Sequence, residues 1–305
     1  MDESKKLIAK YFGQPIDPNL HVSMELSEIA QVPEPLPAGE PAYTLIPDDS
    51  NGVDTIYTFD SNGAITEVKI TLSTATELTF AHYNSKLEYI LLNDIEDGVD
   101  QEAFARRKAA MTRTMDKWDL KRAIDIILAA SARQVTQATG DDVYSMIKKL
   151  KRAVSPYGSD FVLLTGDTVD NSISDYDKDN AGSLYYSPDI FGMMAKEGIK
   201  KVKITGYVKL DSGSNLPLLA VDRMIIVART SSLLDGKPVL FCRRKIKDEA
   251  AKFMEVENAY RGVVNVGLCQ VLYGGAPAWG YGLVGYESNV TALLNKYAVA
   301  WCIIS

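Results

Sequence analysis

The longest helical pattern in the chain begins near Asp100 and continues to about Gln137. No proline or glycine interrupts it, Asp100 can cap its amino terminus, and Gly140 follows its end. At the α-helical rise per residue, this pattern predicts a rod about 55 Å long. Its apolar positions do not keep a heptad repeat, which favours a helix lying across a domain over a coiled coil. These positions are Phe104, Met111, Met115, Trp118, Leu120, Ile124, Ile127 and Leu128.

Apolar and polar residues alternate from Val53 to Leu72, which predicts a β-hairpin. Asn62-Gly63 is a preferred pair for a two-residue type I′ turn. Centring the turn there places Val53 opposite Leu72 and makes one face of the hairpin mainly apolar. The residues of that face are Val53, Thr55, Tyr57, Phe59, Thr66, Val68, Ile70 and Leu72.

The amino-terminal segment combines two patterns. Residues 1–13 have the spacing of a short amphipathic helix that ends at Gly13. From Pro15 to Pro47 frequent prolines remove backbone donors and keep the residues before them extended. The many apolar residues between these prolines favour an arm that docks on a protein surface over a disordered tail. The prolines are Pro15, Pro18, Pro33, Pro35, Pro37, Pro41 and Pro47.

Short helices and strands alternate after Gly140, which predicts a mixed α/β domain. One helix is expected over residues 142–154. Another is expected from Ser187-Pro188, with proline at the first helical position, to Gly198. Apolar runs typical of strands cover residues 77–81, 87–92, 161–165, 201–210, 223–229 and 239–245, and a closing strand is expected over 297–304.

The composition is that of a globular protein, and we expect it to be made and kept in the cytosol. Of its 305 residues 46% are hydrophobic, enough for one large or two medium cores. No signal-peptide pattern and no apolar run of about 18 residues occurs. The net charge of −7 argues against a protein that wraps nucleic acid by neutralising phosphates. Cys242, Cys269 and Cys302 are widely spaced and are expected to be reduced, buried thiols.

No group of residues predicts catalysis, and we assign no catalytic, cofactor-binding or metal-binding residue. His21 and His82 are too few for a histidine-based triad or a zinc site. Gly280–Gly285 spells G-x-G-x-x-G, but it does not open a βαβ unit, so we expect no nucleotide site. Asp175–Asp179 resembles the start of a calcium loop, but Asn180 stands where the glycine belongs, so we predict a solvated acidic loop without metal.

A basic run lies in the helix predicted over 142–154. Its cations fall largely on the face opposite the apolar positions of that helix. We therefore predict a solvated or subunit-facing surface, with nucleic-acid binding as the alternative. The run consists of Lys148, Lys149, Lys151 and Arg152.

The order of these parts resembles the major capsid proteins of tailed bacteriophages, which have the Hong Kong 97 shell fold. The resemblance rests on layout over nearly the whole chain and not on a short motif. It implies an α+β fold with an extended β-hairpin loop, a long spine helix and an α/β axial domain. The implied segments are an N-terminal arm at 1–40, the hairpin loop and its root at 41–95, a peripheral domain with the spine helix at 96–140, the axial domain at 141–270, and a C-terminal segment at 271–305 that returns to both domains.

The resemblance also implies a function. Such a protein is not an enzyme but a structural subunit that self-assembles into an icosahedral or prolate capsid around the phage genome. The implied partners are further copies in hexameric and pentameric capsomers, together with portal, scaffolding and decoration proteins. Its implied location is the virion, after assembly in the host bacterial cytoplasm. We expect at most weak, non-specific contact with packaged DNA, and no contact with membranes.

Three other classes of protein remain open. A bacterial encapsulin compartment has the same fold as a phage capsid, and it would co-purify with a cargo protein. A phage tail or connector protein is the second alternative. A cytosolic enzyme is the third, and it would have a pocket of convergent polar groups.

Overall fold

The computed structural model describes residues 23–36, 43–46, 74–92, 94, 101–180, 189–210, 212–231, 236–244 and 264–304. Its helices are α1 Met24–Ile29, α2 Gln101–Ala129, α3 Val143–Val154, α4 Asp167–Asn180 and α5 Ile190–Lys196. Its strands are β1 Ala30–Gln31, β2 Tyr43–Ile46, β3 Thr74–Glu77, β4 Ala81–Asn84, β5 Glu88–Leu91, β6 Gly158–Thr165, β7 Ile199–Lys203, β8 Tyr207–Lys209, β9 Asn215–Pro217, β10 Arg223–Ser231, β11 Val239–Arg243, β12 Val264–Tyr273, β13 Ala276–Leu293 and β14 Val299–Ile303.

A four-stranded sheet has the order β14-β10-β6-β7 and is covered on both faces. Strand β6 runs parallel to β7 and antiparallel to β10, and β10 also pairs antiparallel with β14. Every side chain from Phe161 to Thr165 is buried, which explains why this strand reads as an unbroken apolar run. The strands predicted over 161–165, 223–229 and 297–304 are confirmed as β6, β10 and β14.

Helices α3, α4 and α5 cover one face of this sheet. Leu163 and Ile226 project from the sheet into a cluster with Met146 and Leu150 of α3. Helix α3 begins at the cap residue Asp142, whose side chain accepts a hydrogen bond from the Ser145 amide at 2.7 Å. The helix predicted over 142–154 is confirmed, because its apolar spacing matches the face that the sheet buries.

The carboxyl-terminal half of α2 covers the other face. Ile124 and Ile127 of the helix pack in one cluster with Leu164 and Ile225 of the sheet. Helix α2 also lies against β13 of a second sheet. The helix therefore contacts both sheets.

This second, six-stranded sheet is organised around β13. Strands β12, β11, β4 and β5 all pair antiparallel with β13, and β1 adds to β11 in parallel. The strands predicted over 87–92 and 239–245 are confirmed as β5 and β11. The run over 77–81 instead spans the end of β3 and the start of β4, and the run over 201–210 divides into β7 and β8.

Helix α2 is shorter than the sequence predicts. It has 29 residues, about 44 Å, and ends at Ala129. The next segment leaves the helix because it bonds to the carboxyl-terminal segment: Trp301 donates its indole N–H to Ala130 O at 3.4 Å, and the Val135 amide donates to Trp301 O at 2.8 Å. The Arg133 guanidinium donates to Val299 O at 3.0 Å and Ala153 O at 2.6 Å. The predicted cap, Asp100, lies outside the described residues.

The expectation of an extended arm is wrong for residues 24–29. These residues form helix α1, and Leu26 and Ile29 are fully buried in the core of the same chain, against α2 and β10. Ser23 caps the helix by accepting the Leu26 amide at 3.1 Å. The apolar residues that the sequence pattern assigns to a docking arm therefore pack in the chain's own core. The helix predicted over 1–13 lies outside the described residues, as does His21.

Two further expectations are corrected after β6. The acidic run predicted as a loop belongs to helix α4, because Val169 and Ile173 share its buried face and Tyr176 stacks on Tyr144 with ring centroids 5.7 Å apart. The helix predicted from Ser187-Pro188 begins at Ile190, with Asp189 at its cap position, and ends at Lys196.

The hairpin predicted from Val53 to Leu72 lies outside the described residues and stays a prediction. Strands β2 and β3 flank it and pair antiparallel, with Ile46 opposite Thr74. Unbroken pairing from an Asn62-Gly63 turn would instead place Ile46 opposite Thr79. The predicted register therefore does not extend to these two strands.

The expected segment boundaries can be compared with the two sheets. Strand β11 and most of β12 lie within residues 141–270, yet both belong to the six-stranded sheet with β13. Strand β14 lies within residues 271–305 and belongs to the four-stranded sheet. The last segment thus contributes to both sheets, and the boundaries themselves stay a prediction. None of the helices that the structure describes is long and apolar enough to cross a membrane.

Replacing Asp142 with alanine should lower the free energy of unfolding by about 0.5–2 kcal/mol, because α3 loses its amino-terminal cap. The same carboxylate accepts the Tyr176 hydroxyl of α4 at 3.0 Å. Asp142→Asn is the matched control, since an asparagine oxygen caps a helix equally well. Urea unfolding followed by circular dichroism measures both variants, and equal losses would contradict the capping role.

Candidate assembly surface and buried ionic junction

Strands β12 and β13 form a hairpin whose tip is the pair Gly274-Gly275. Both glycines have positive φ, 60° and 85°, as the two central positions of a type I′ turn require. Tyr273 and Ala276 pair directly across this turn. The sequence analysis did not identify this hairpin, although two adjacent glycines between apolar runs were the available signal.

The tip of this hairpin exposes large apolar side chains. Leu272 is 76% exposed, Tyr273 61% and Trp279 54%. Leu272 lies opposite Pro277, and Gln270 lies opposite Trp279, so these four share one face of the hairpin. No charged residue occurs from Gly262 to Tyr286. An uncharged, aromatic surface of this kind is typical of a protein–protein interface.

The glycines of the G-x-G-x-x-G sequence have a structural role in the six-stranded sheet. They lie inside β13, where Gly280 pairs with Leu91 of β5. A Cβ at Gly280 would come within 2.5 Å of the Ile90 carbonyl oxygen, so only glycine permits this close approach. The segment is a strand and not the strand-to-helix turn of a dinucleotide site.

A buried ionic junction joins α2 to the six-stranded sheet. Asp119 is fully buried on the helix and faces Arg243 of β11 and Glu287 of β13, which are also buried. The Arg243 guanidinium donates to Asp119 Oδ2 at 2.8 Å and to Glu287 Oε1 at 2.9 Å. Asp119 Oδ1 accepts from Arg122 at 2.6 Å and from the Asn289 amide at 3.2 Å.

Carboxylates outnumber guanidinium groups in this junction. Asp116 lies 4.0 Å from Arg243 and is the third acid, while Arg122 and Arg243 are the two bases. Burial raises the pKa of Asp116 to about 7, opposed by Arg243 and reinforced by Glu287. Burial also raises the pKa of Asp119 well above its usual range, as does the Glu287 carboxyl hydrogen-bonded to it. Both shifts favour the protonated form of these buried carboxyl groups.

Sequence reasoning missed the junction because Asp116, Asp119 and Arg122 look like ordinary surface charges on a charged helix. The usable signals lay in the strands. Arg243 ends a buried apolar strand, and Glu287 follows a long uncharged segment. A charge in such a position is rarely buried without a partner.

The basic run of α3 is largely neutralised within the chain. Lys149 pairs with Asp141 at 2.5 Å, and Lys151 pairs with Glu197. Lys148 lies over the ring of Tyr144. These contacts favour an intrachain role for the run over binding to phosphates.

The remaining predicted groups are not brought together. His82 is exposed in β4, and Cys242 and Cys302 are buried free thiols in different sheets. Burial raises the pKa of the Cys302 thiol to about 12, which suppresses the reactive thiolate. The side chain of Cys269 lies outside the described residues. Within the described part of the chain, no group of three or more His, Cys, Asp or Glu residues could hold a metal ion.

No family model and no curated protein matches the chain. Several solved structures do. A chain from Microbacterium phage Oxtober96 matches with a TM-score of 0.53 at 15% identity, over 100% of both chains. The virus-like particle from Pyrococcus furiosus matches with a TM-score of 0.51 at 11% identity, over 98% of this chain and 97% of that chain. The holo-SrpI encapsulin complex from Synechococcus elongatus PCC 7942 matches with a TM-score of 0.50 at 11% identity, over 99% of this chain and 95% of that chain. This chain has the Hong Kong 97-like shell fold.

The shell fold accounts for nearly the entire chain as one mixed helix-and-sheet arrangement. The match covers both sheets and the helix that joins them, so neither sheet is an addition to an unrelated fold. At identities of 11–15% few side chains are shared with these structures. Any functional surface must therefore be identified from the residues of this chain.

Proposed function

We propose that this protein is the repeating subunit of a closed shell, the capsid that encloses a phage genome. The observation that carries the proposal is the shell fold itself, matched over nearly the whole chain by a phage structure, a virus-like particle and an encapsulin complex. The exposed, uncharged tip of the β12–β13 hairpin supports it, because a monomer gains nothing from such a surface. The role is structural, and no catalytic residue is assigned to it.

Each segment would have a separate structural role in the assembled shell. Helix α2 is the spine helix of the peripheral domain, residues 96–140, and residues 141–270 supply most of the axial domain at the capsomer centre. Residues 1–40 would supply the N-terminal arm, and α1 would anchor it to its own subunit because Leu26 and Ile29 are buried in the core. Residues 41–95 contain the extended hairpin loop, and residues 271–305 return to both domains. Arm and loop would each cover apolar surface on neighbouring subunits.

A shell needs many contacts, none of which has to be strong. Each subunit touches several neighbours, so modest interfaces together stabilise a closed particle. The net charge of −7 suits a container for DNA, because an acidic lining does not hold phosphates. Hexameric and pentameric capsomers, assembled in the host cytoplasm, would be completed by portal, scaffolding and decoration proteins. Contact with packaged DNA would be weak and non-specific.

An encapsulin-type compartment is the second candidate. It is favoured by the likeness to the holo-SrpI encapsulin complex and to the Pyrococcus furiosus particle. An encapsulin and a capsid differ in what they enclose. Particles that protect DNA from nuclease would support the capsid, whereas particles that retain a cargo protein would support the compartment.

The protein expressed alone should form closed shells, or rings of capsomers, when its concentration is raised. Size-exclusion chromatography with light scattering measures the mass, and negative-stain microscopy shows the particles. A folded chain that stays monomeric at all concentrations, with or without a crowding agent, would contradict the shell function. A monomer with a measurable enzymatic turnover would favour the enzyme class.

A further inference from the structure

We propose that the tip of the β12–β13 hairpin is a contact between two copies of this chain, which buries Leu272, Tyr273 and Trp279. The inference rests on the proposed function for the identity of the partner. It goes beyond that function by assigning the contact to particular residues. The tip surface comprises Gln270, Leu272, Tyr273, Gly274, Gly275, Ala276, Pro277 and Trp279.

The chemistry of the tip surface is that of an interface core. Tryptophan and tyrosine are the residues that most often dominate binding energies at protein interfaces. Leu272, at 76% exposure, shares one face of the hairpin with Pro277 and Trp279, whereas Tyr273 points to the other face at the same tip. Isolated exposed apolar residues are ordinary, but a cluster at the end of one hairpin marks an interaction site.

The absence of charge favours a second copy as the partner. Each copy carries a net charge of −7, so two copies repel wherever acidic surfaces meet. The segment from Gly262 to Tyr286 carries no charged side chain, so the hairpin adds nothing to this repulsion. The same segment offers no cation to a phosphate and no charge to a strongly charged partner protein. An identical, acidic subunit is the partner that benefits most from an uncharged contact.

The outer edge of strand β12 also favours a surface that another chain covers. Among the described residues, β12 pairs only with β13, which leaves its outer edge without a neighbouring strand. Edge strands usually carry a lysine, a proline or an inward-pointing charge that prevents further pairing. Residues 264–273 contain none of these. A long edge without such protection is a hazard in a free monomer and an advantage in an assembly.

The tip can be altered without disturbing the fold. Leu272 and Trp279 are largely exposed, and the turn is held by two glycines that would remain in place. Tyr207 in β8 is a matched control, because it is an aromatic residue with the same 54% exposure as Trp279 but lies outside the six-stranded sheet. A charge at either position therefore meets a similar environment within the monomer.

The first experiment compares assembly of Trp279→Asp and Tyr207→Asp with the unaltered protein. We expect Trp279→Asp to raise the subunit concentration needed for assembly at least tenfold, and Tyr207→Asp to leave it within twofold. Light scattering measures assembly, and circular dichroism shows that both monomers are folded. Unchanged assembly of Trp279→Asp would overturn the contact while leaving the shell function in place.

The second experiment does not depend on shell formation. A photoreactive benzophenone amino acid replaces Leu272, or Tyr207 as control, and the illuminated protein is separated by mass. Dimers of this chain from the Leu272 position alone would support the contact, even if the unaltered protein formed no shell. Absence of dimers would overturn the contact. Binding of the protein to phosphatidylglycerol vesicles, abolished by Trp279→Asp, would overturn it in favour of a membrane surface.

Discussion

Replacing Arg243 with alanine is expected to lower the free energy of unfolding by about 3–5 kcal/mol, because it leaves buried carboxylates without their donor. Arg243 bonds both Asp119 and Glu287, and neither acid is reached by water. Arg107→Ala is the matched control, since its bidentate pair with Glu88 is exposed. Removing that exposed pair should cost about 0.2–1 kcal/mol. Urea unfolding followed by circular dichroism at pH 7.5 compares the two.

A double variant tests whether the lost free energy of unfolding comes from uncompensated charge or only from truncation of the Arg243 side chain. Adding Glu287→Gln to Arg243→Ala removes one of the uncompensated charges and should restore part of the lost free energy. The coupling between the two changes is then a direct measure of the interaction. An Arg243→Ala variant within about 1 kcal/mol of the unaltered protein, or strictly additive changes, would contradict an ionic junction.

Acid should stabilise this protein through Asp116, and Asp116→Asn should remove that dependence. Burial raises the pKa of Asp116 from 3.8 in the unfolded chain to about 7 in the folded one. Its stabilising contribution is therefore complete below pH 3.8 and is lost as the pH rises through 7. Between these values the unfolded chain has released a proton that the folded chain retains.

The expected size follows from about 1.4 kcal/mol per pH unit for one proton. Relative to Asp116→Asn, the unaltered protein should lose about 3 kcal/mol between pH 4 and pH 7, and little more above pH 8. The comparison with asparagine cancels the opposite trend from carboxylates whose pKa is lowered by lysine partners, such as Glu28 and Glu197. A difference between the two proteins that does not change with pH would refute the raised pKa.

The junction fixes the position of α2 more than it adds stability. Buried ion pairs often contribute little net free energy because desolvation offsets their attraction. Their geometry is nevertheless demanding. Asp119 accepts bonds from Arg122, Arg243 and Asn289, which come from the helix and two strands. The Arg122 guanidinium also lies 3.5 Å from the centre of the Tyr83 ring in β4. Any sliding of the helix across the sheet would break these contacts together.

A fixed position of helix α2 matters for the proposed shell. Helix α2 contacts both sheets, so its position sets how the two parts of the subunit lie relative to each other. Curved shells depend on a constant subunit shape, since small angular errors accumulate over many copies. A subunit with a loosened junction would be expected to assemble less uniformly.

Several elements were determined by the sequence alone. Helix α3, the buried strand β6, the strands β10 and β14, and the long helix were predicted from the local sequence pattern, because each depends mainly on the spacing of nearby residues. The order of these elements also carried the resemblance to a shell fold. Layout survives where side chains diverge, as the identities of 11–15% to the matching structures illustrate.

Other features were decided only by the tertiary structure. Helix α2 ends at Ala129 because Arg133 and Trp301 bond across to distant segments, and nothing in the local pattern marks that point. Residues 24–29 form a buried helix because Leu26 and Ile29 pack into the core of the same chain. Asp119 belongs to a buried junction because Arg243 and Glu287, distant in the sequence, converge on it. Local spacing reports which face of an element is apolar, whereas the partner that covers that face, and the charges it brings, depend on contacts between residues far apart in the chain.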